Sequence, residues 1–296
     1  MNKRIFKGTM PALLTPLDSN SKVITATVKP LIDWEISKGA AGFYVCGSTG
    51  EGPVLSGQQR RIMMEAAVEA VNGRVPVIAH VGAIDSNEAF DLARHAENTG
   101  VTAISSVAPN FYFQYSYSEV IEYYKRLAGC TNLPLILYAA PMMAGVEINK
   151  MMKELLKTDN VIGIKDTRAN YYQMWQLRQL NNGNINIING PDETLLCGLM
   201  MGADGGIGST YNIMPDKYAR LYSLFMEGKL EEVRAMQSQI TSIIQVLLKY
   251  GCFQALKKYL EFQGFNMGTC AFPAAPLNKD DALRMKQEID ALMSDN

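Results

Sequence analysis

The chain has 296 residues, 48% of them hydrophobic and 19% charged, with 28 Lys+Arg against 29 Asp+Glu. That is the composition of a folded globular protein, and a net charge of −1 without a run of like charge excludes a nucleic-acid groove or a polybasic membrane patch, both of which need clustered Lys/Arg. No apolar run is long enough to span a bilayer, and the short one after Lys3, Arg4 and Lys7 contains Pro11 and does not read as a signal peptide.

An apolar run, a loop and a helix-period stretch then repeat along the chain. Residues 9–16 form the first predicted strand, and after Thr25 the residues Val28, Leu31, Ile32 and Ile36 share one helical face. Residues 42–47 are the second strand; Ser56 and Gln59 follow at capping-box spacing. Residues 76–82 are the third, followed by Asp85 and Glu88 at the same spacing. Residues 103–109, 134–141, 161–167, 185–190 and 205–210 complete a set of eight. Near-continuous apolar runs such as 134–138 suit parallel strands buried on both faces.

Eight strand–helix units within residues 1–228 predict an α/β fold, a (β/α)₈ TIM barrel. Residues 229–250, 251–263 and 278–293 have helix periodicity, so 229–296 is predicted as a C-terminal three-helix extension. Cys46, Cys130, Cys197, Cys252 and Cys270 form no CxxC pair, and His80 and His95 lie in different predicted elements. This pattern fits reduced thiols in a cytoplasmic protein and offers no metal-ligand cluster. His80 reads as a core histidine and His95 as a surface one.

Active sites of such barrels lie at the C-terminal ends of the strands. There the chain offers Gly47-Ser48-Thr49-Gly50-Glu51, Tyr112, Tyr138, Lys165-Asp166-Thr167, Gly190-Pro191-Asp192-Glu193 and Ser209. A period of two puts Val161, Gly163 and Lys165 on one face. If that face points inward, the ammonium is buried, Gly163 leaves room beneath it, and burial lowers its pKa. With a reference pKa near 10.4, about 1 amine in 2,500 is neutral at pH 7; a fall of about 3 raises that fraction nearly a thousandfold, as a Schiff-base lysine requires. An outward lysine paired with a helix is the alternative. Tyr138 closes the preceding strand in the same way, either as packing or as a proton shuttle beside the amine. The glycine-flanked Ser48-Thr49 turn is either a plain tight turn or an anion nest for a small carboxylate. Asp192 and Glu193 either complement a helix dipole or accept hydrogen bonds from substrate hydroxyls.

The GSTGE turn after the second strand, the Tyr closing the fifth, the Lys of GIK closing the sixth and GADGGIGSTYNIM at the eighth resemble the pyruvate-dependent class I aldolases, the family that contains the N-acetylneuraminate lyases and the dihydrodipicolinate synthases. The resemblance runs from Gly8 to the last helix. It implies the barrel with its helical extension, a homotetramer, and no metal or organic cofactor. Ser48 within the turn, Thr167 two residues after the lysine, and Met143 where the synthases place an arginine are more similar to the lyases. By this resemblance Lys165 forms the Schiff base, Tyr138 transfers the proton at the cleaved bond, and Ser48 and Thr49 hold the pyruvyl carboxylate. Ser48 joins Tyr138 and Tyr112 in a relay, the second tyrosine coming from a neighbouring subunit. Thr167, Gly190, Asp192, Glu193 and Ser209 face the sugar hydroxyls. The expected small-molecule substrates are sialic acid and pyruvate; the alternatives are another 2-keto sugar acid and, further off, dihydrodipicolinate synthesis. Ala139, Pro191 and Asp166 depart from the family pattern, the first two expected to border the pocket and the third to add a carboxylate beside the lysine.

Overall fold

The computed structural model describes residues 2–109, 113–143 and 146–294. Eight parallel strands alternate with helices: β1 (Gly8–Pro11), α1 (Thr25–Ser37), β2 (Phe43–Val45), α2 (Gly57–Val71), β3 (Val77–His80), α3 (Ser86–Thr99), β4 (Ala103–Ser106), α4 (Tyr117–Ala128), β5 (Leu135–Ala139), α5 (Ile148–Leu155), β6 (Val161–Asp166), α6 (Tyr171–Arg178), β7 (Asn186–Asn189), α7 (Leu195–Met200), β8 (Gly205–Gly208) and α8 (Pro215–Met226). The ladder runs β1-β8-β7-β6-β5-β4-β3-β2, and a bridge between Ala12 and Tyr44 brings its two ends together. The fold is a TIM barrel, as expected.

Three helices follow, α9 (Leu230–Lys249), α10 (Cys252–Phe262) and α11 (Lys279–Ser294). Their buried residues, among them Ile240, Ile244, Leu256, Leu260 and Ile289, belong to the same continuous apolar layer that fills the space between strands and helices. A separate cluster, including Met10, Tyr44, Ile78, Ile136 and Ile188, fills the barrel interior. Inward and outward residues thus alternate on most strands, each set with its own core.

Each predicted strand is present and each is shorter than its apolar run. Leu13 and Leu14 are fully buried yet lie past the end of β1, so burial alone does not separate a strand end from a covered loop. Ser56 caps α2 by accepting from the Gln59 N–H at 3.3 Å, but the Gln59 side chain turns to the Val23 N–H instead of back to the cap. Asp85 accepts from Asn87, one position earlier than the capping-box spacing requires. The reciprocal box occurs at Ser116 and Glu119, where the sequence reading named none.

β6 departs from simple alternation. Its register against β5 pairs Leu135 with Val161 but Ile136 with Gly163, leaving Ile162 as an extra residue. Such a bulge shifts the phase of the strand. Val161 therefore packs in the outer layer while Ile162 enters the barrel, which corrects the expectation that Val161 shares the face of Lys165. Gly163 has a different purpose from the one expected. A Cβ there would meet the Asn186 carbonyl oxygen at 2.0 Å, so glycine allows the close approach of β7.

Candidate active site

The C-terminal rim of the barrel is where the expected residues meet. Tyr138 near the end of β5 and Lys165 near the end of β6 are register partners across the ladder, both directed inward. The Lys165 Nζ lies 4.3 Å from the centre of the Tyr44 ring and 4.5 Å from that of Tyr138. Lys165 is buried, and no salt bridge joins it to a carboxylate among the described residues. Burial lowers its pKa against the opposing pull of Tyr138 and Asp192. At Tyr138 burial alone would raise the phenol, yet the Lys165 charge and the hydroxyls of Ser48 and Thr167 outweigh it and bring the pKa down. An amine made easier to deprotonate thus sits beside a phenol made easier to ionise.

Ser48 and Thr49 form the turn above them. Ser48 is exposed, and the backbone N–H groups of both residues donate to nothing among the described residues. Two free amides and two hydroxyls at one turn can hold a carboxylate. The Thr49 Oγ1 lies 2.6 Å from the Ser209 Oγ, which ties this turn to the loop after β8. Cys46 and Glu51, on either side of the turn, both adopt φ of 58°, a left-handed conformation that costs a non-glycine residue about 1–3 kcal/mol.

The remaining expected residues line the same rim. A Cβ on Gly190 would come within 2.1 Å of the Thr167 Oγ1, so the two positions are fitted to each other. That hydroxyl is itself buried, without a hydrogen bond of ordinary geometry among the described residues. Asp192 is buried, and its Oδ2 accepts from the Thr210 N–H at 2.8 Å and the Thr210 hydroxyl at 2.7 Å. Burial pushes its pKa up to about 6 despite those hydrogen bonds. Glu193 is exposed at the mouth. Tyr112 lies outside the described residues.

Two of the departures from the family pattern prove harmless to the pocket. Ala139 faces the outer apolar layer, because it alternates with the inward Tyr138. Asp166 likewise points away from Lys165 and is held bidentately by Arg168, at 2.9 and 2.7 Å. It adds no free carboxylate beside the amine. Pro191 remains at the rim, partly exposed, with its carbonyl accepting from Asn189 at 2.7 Å.

Two side chains near the lysine were missed or undervalued by the sequence reading. Tyr44 lies beneath Lys165 and is anchored by its hydroxyl to the Ser105 Oγ at 3.0 Å. His80 is fully buried, with its ring edge-on to Tyr138 at 6.0 Å between centres. Its Nε2 accepts from the Val107 N–H at 3.3 Å, and the ring also faces the Cys46 backbone. Burial and the nearby Arg60 and Lys165 charges lower its pKa well below the ordinary range, so the ring is neutral. It is a core histidine, as expected, but one packed against the site. His95 is half-buried, its Nε2 3.1 Å from Glu65, and so is less exposed than expected.

Residues 5–292 match the model of the dihydrodipicolinate synthetase family. The N-acetylneuraminate lyase of Citrobacter koseri is 34% identical over 292 residues, covering 98% of each chain. Among solved structures, a Clostridium difficile protein in complex with mannosamine superimposes with a TM-score of 0.92 at 30% identity, covering 97% of this chain and 99% of that one. A catalytic lysine mutant of the Ruminococcus gnavus sialic acid aldolase gives 0.92 at 29%, covering 97% of both.

Proposed function

This chain belongs to the dihydrodipicolinate synthetase family, and on that premise we propose that it is a Schiff-base aldolase that cleaves N-acetylneuraminate reversibly to N-acetylmannosamine and pyruvate. The observation that carries this reading is the pairing of a buried, carboxylate-free Lys165 with Tyr138 beneath the open amides of the Ser48–Thr49 turn.

The neutral Lys165 amine adds to C2 of the keto acid, and the carbinolamine hydroxyl takes a proton from Tyr138 and leaves as water, giving a protonated imine beside the Tyr138 phenolate. Ser48 and Thr49 hold the adjoining carboxylate. The imine is an electron sink: when Tyr138 takes the proton from the C4 hydroxyl, the C3–C4 electron pair moves toward C2, the aldehyde departs and an enamine remains. Protonation at C3 and hydrolysis release pyruvate and restore the amine. Thr167, Gly190, Asp192, Glu193 and Ser209 receive the sugar's hydroxyls, which carboxylates and carbonyls accept well. In this reading Tyr112 comes from a neighbouring subunit to complete the relay with Ser48 and Tyr138. The assembly is a homotetramer working in the cytoplasm; light scattering on the purified chain checks its mass.

The deciding experiment follows pyruvate release from N-acetylneuraminate with coupled lactate dehydrogenase, with Lys165→Ala as control. Turnover that disappears in the variant supports both substrate and nucleophile. A chain that gains the pyruvyl mass under borohydride yet releases no pyruvate from this sugar acid acts on another 2-keto sugar acid, a reading favoured only by Pro191 at the rim.

A further inference from the structure

The Ser48–Thr49 turn is gripped from outside the barrel. Glu51, which closes the turn, is 7% exposed, and its Oε1 lies 2.5 Å from the Nζ of Lys257 on α10, itself 2% exposed. The other carboxylate oxygen accepts from the Ala271 N–H at 2.6 Å, and Lys257 also donates to the Thr269 carbonyl at 2.7 Å. One buried ion pair thus joins the turn to α10 and to the strap that follows it. That strap is fixed to the loop after β1 by the Leu17 N–H to Met267 carbonyl bond at 3.1 Å and the Thr269 N–H to Leu17 carbonyl bond at 2.9 Å.

We propose that Glu51 and Lys257 are positioning residues, a latch through which the C-terminal extension holds the Ser48–Thr49 turn in the geometry that receives the substrate carboxylate. The proposal rests on the aldolase reading for what the turn binds. Its physical basis is local. Glu51 sits in a left-handed conformation that it would not keep unaided, and its own N–H donates to the Ser48 carbonyl at 3.0 Å, so release of its side chain is transmitted directly to Ser48. A buried carboxylate and ammonium with no other salt-bridge partner among the described residues are also costly to separate, which makes the latch stiff.

The test uses the full chain with Lys257→Met and the double variant Glu51→Gln/Lys257→Met. The double variant strands no charge and so keeps a melting temperature near that of the wild type. Borohydride trapping against pyruvate concentration gives the half-saturating level, and hydrogen exchange reports residues 47–52. Both variants are expected to raise half-saturating pyruvate at least tenfold and to speed exchange of 47–52, while maximal trapping at Lys165 is retained. A double variant within twofold of the wild type in half-saturating pyruvate overturns the latch, because the pair then serves stability alone. Should Lys257→Met fail to fold, the double variant decides the same question. If pyruvate leaves no mass on the wild-type chain, the aldolase reading falls instead; the latch is then decided by exchange, and unchanged protection of 47–52 in the double variant overturns it.

Discussion

The two ends of the barrel treat buried polar groups in opposite ways. At the N-terminal end, Asp204 accepts from Asn186 at 3.0 Å, from the Ile187 N–H at 2.9 Å and from Arg178 at 2.9 Å, and pairs with Arg4 at 2.6 Å. Lys3 closes the same end by donating to the Val161 carbonyl at 2.5 Å. The Asp204 cluster is thus fully paired, although Glu35 at the foot of α1 is buried without a hydrogen-bond partner among the described residues, and burial raises its pKa well above the ordinary carboxylate range. At the C-terminal end Lys165 has no salt bridge among the described residues, the Thr167 hydroxyl faces Tyr138 without a hydrogen bond of ordinary geometry, and Asp192 is hard to ionise. The Asp204 cluster is closed on itself; the polar groups around Lys165 are turned to the open rim where such barrels place their sites.

Substitutions at the two ends should therefore separate stability from turnover. The largest effect is expected at Lys165: Lys165→Ala should lower pyruvate release at least about 10⁴-fold, since the nucleophile is lost, with no loss of melting temperature. Tyr138→Phe should follow, lowering kcat by about 10²–10⁴-fold while pyruvate is still trapped on Lys165. At the opposite end Asp204→Ala should destabilise by about 3–5 kcal/mol in urea unfolding, because two arginines lose their partner, yet leave kcat/KM of the folded fraction within about twofold. An Asp204→Ala variant that folds normally but turns over poorly would break the comparison.

The smallest effect has the opposite sign. Asp192 ionises near pH 6 in the native chain but near 4 when unfolded, so its charge favours the unfolded state. That penalty is absent below about pH 4, grows between about 4 and 6, and is complete above. Asp192→Asn should consequently be about 3 kcal/mol more stable than the wild type at pH 8, with the difference vanishing near pH 4, although turnover falls. A gap that does not change with pH would remove the titration as its cause.

Much of this arrangement is legible in the sequence because barrels repeat a local pattern. The apolar runs, the phase of Tyr138 and the three terminal helices follow from periodicity within each segment. What escaped depends on more than one segment. The bulge at Ile162 is visible only once β5 and β6 are paired. Tyr44 and His80 are ordinary strand residues until the barrel closes and turns them toward Lys165. The Glu51–Lys257 pair spans 206 positions and carries no spacing signature. Ala139 is expected at the pocket border and Asp166 beside the lysine, yet each is next in the chain to Tyr138 or Lys165, and on a strand adjacent residues face opposite ways.

The pairing of Gly8 with Gly205 has a consequence for how the chain is made. Synthesis delivers β1 first and its ladder partner last, so the nascent polypeptide carries an unmatched edge until nearly the whole barrel has been translated. An unmatched edge is an invitation to pair with a neighbouring copy. Closure then joins strands almost two hundred residues apart, the kind of contact that forms late and slowly. Expression yield in this protein should respond to translation speed and temperature more than its final stability suggests.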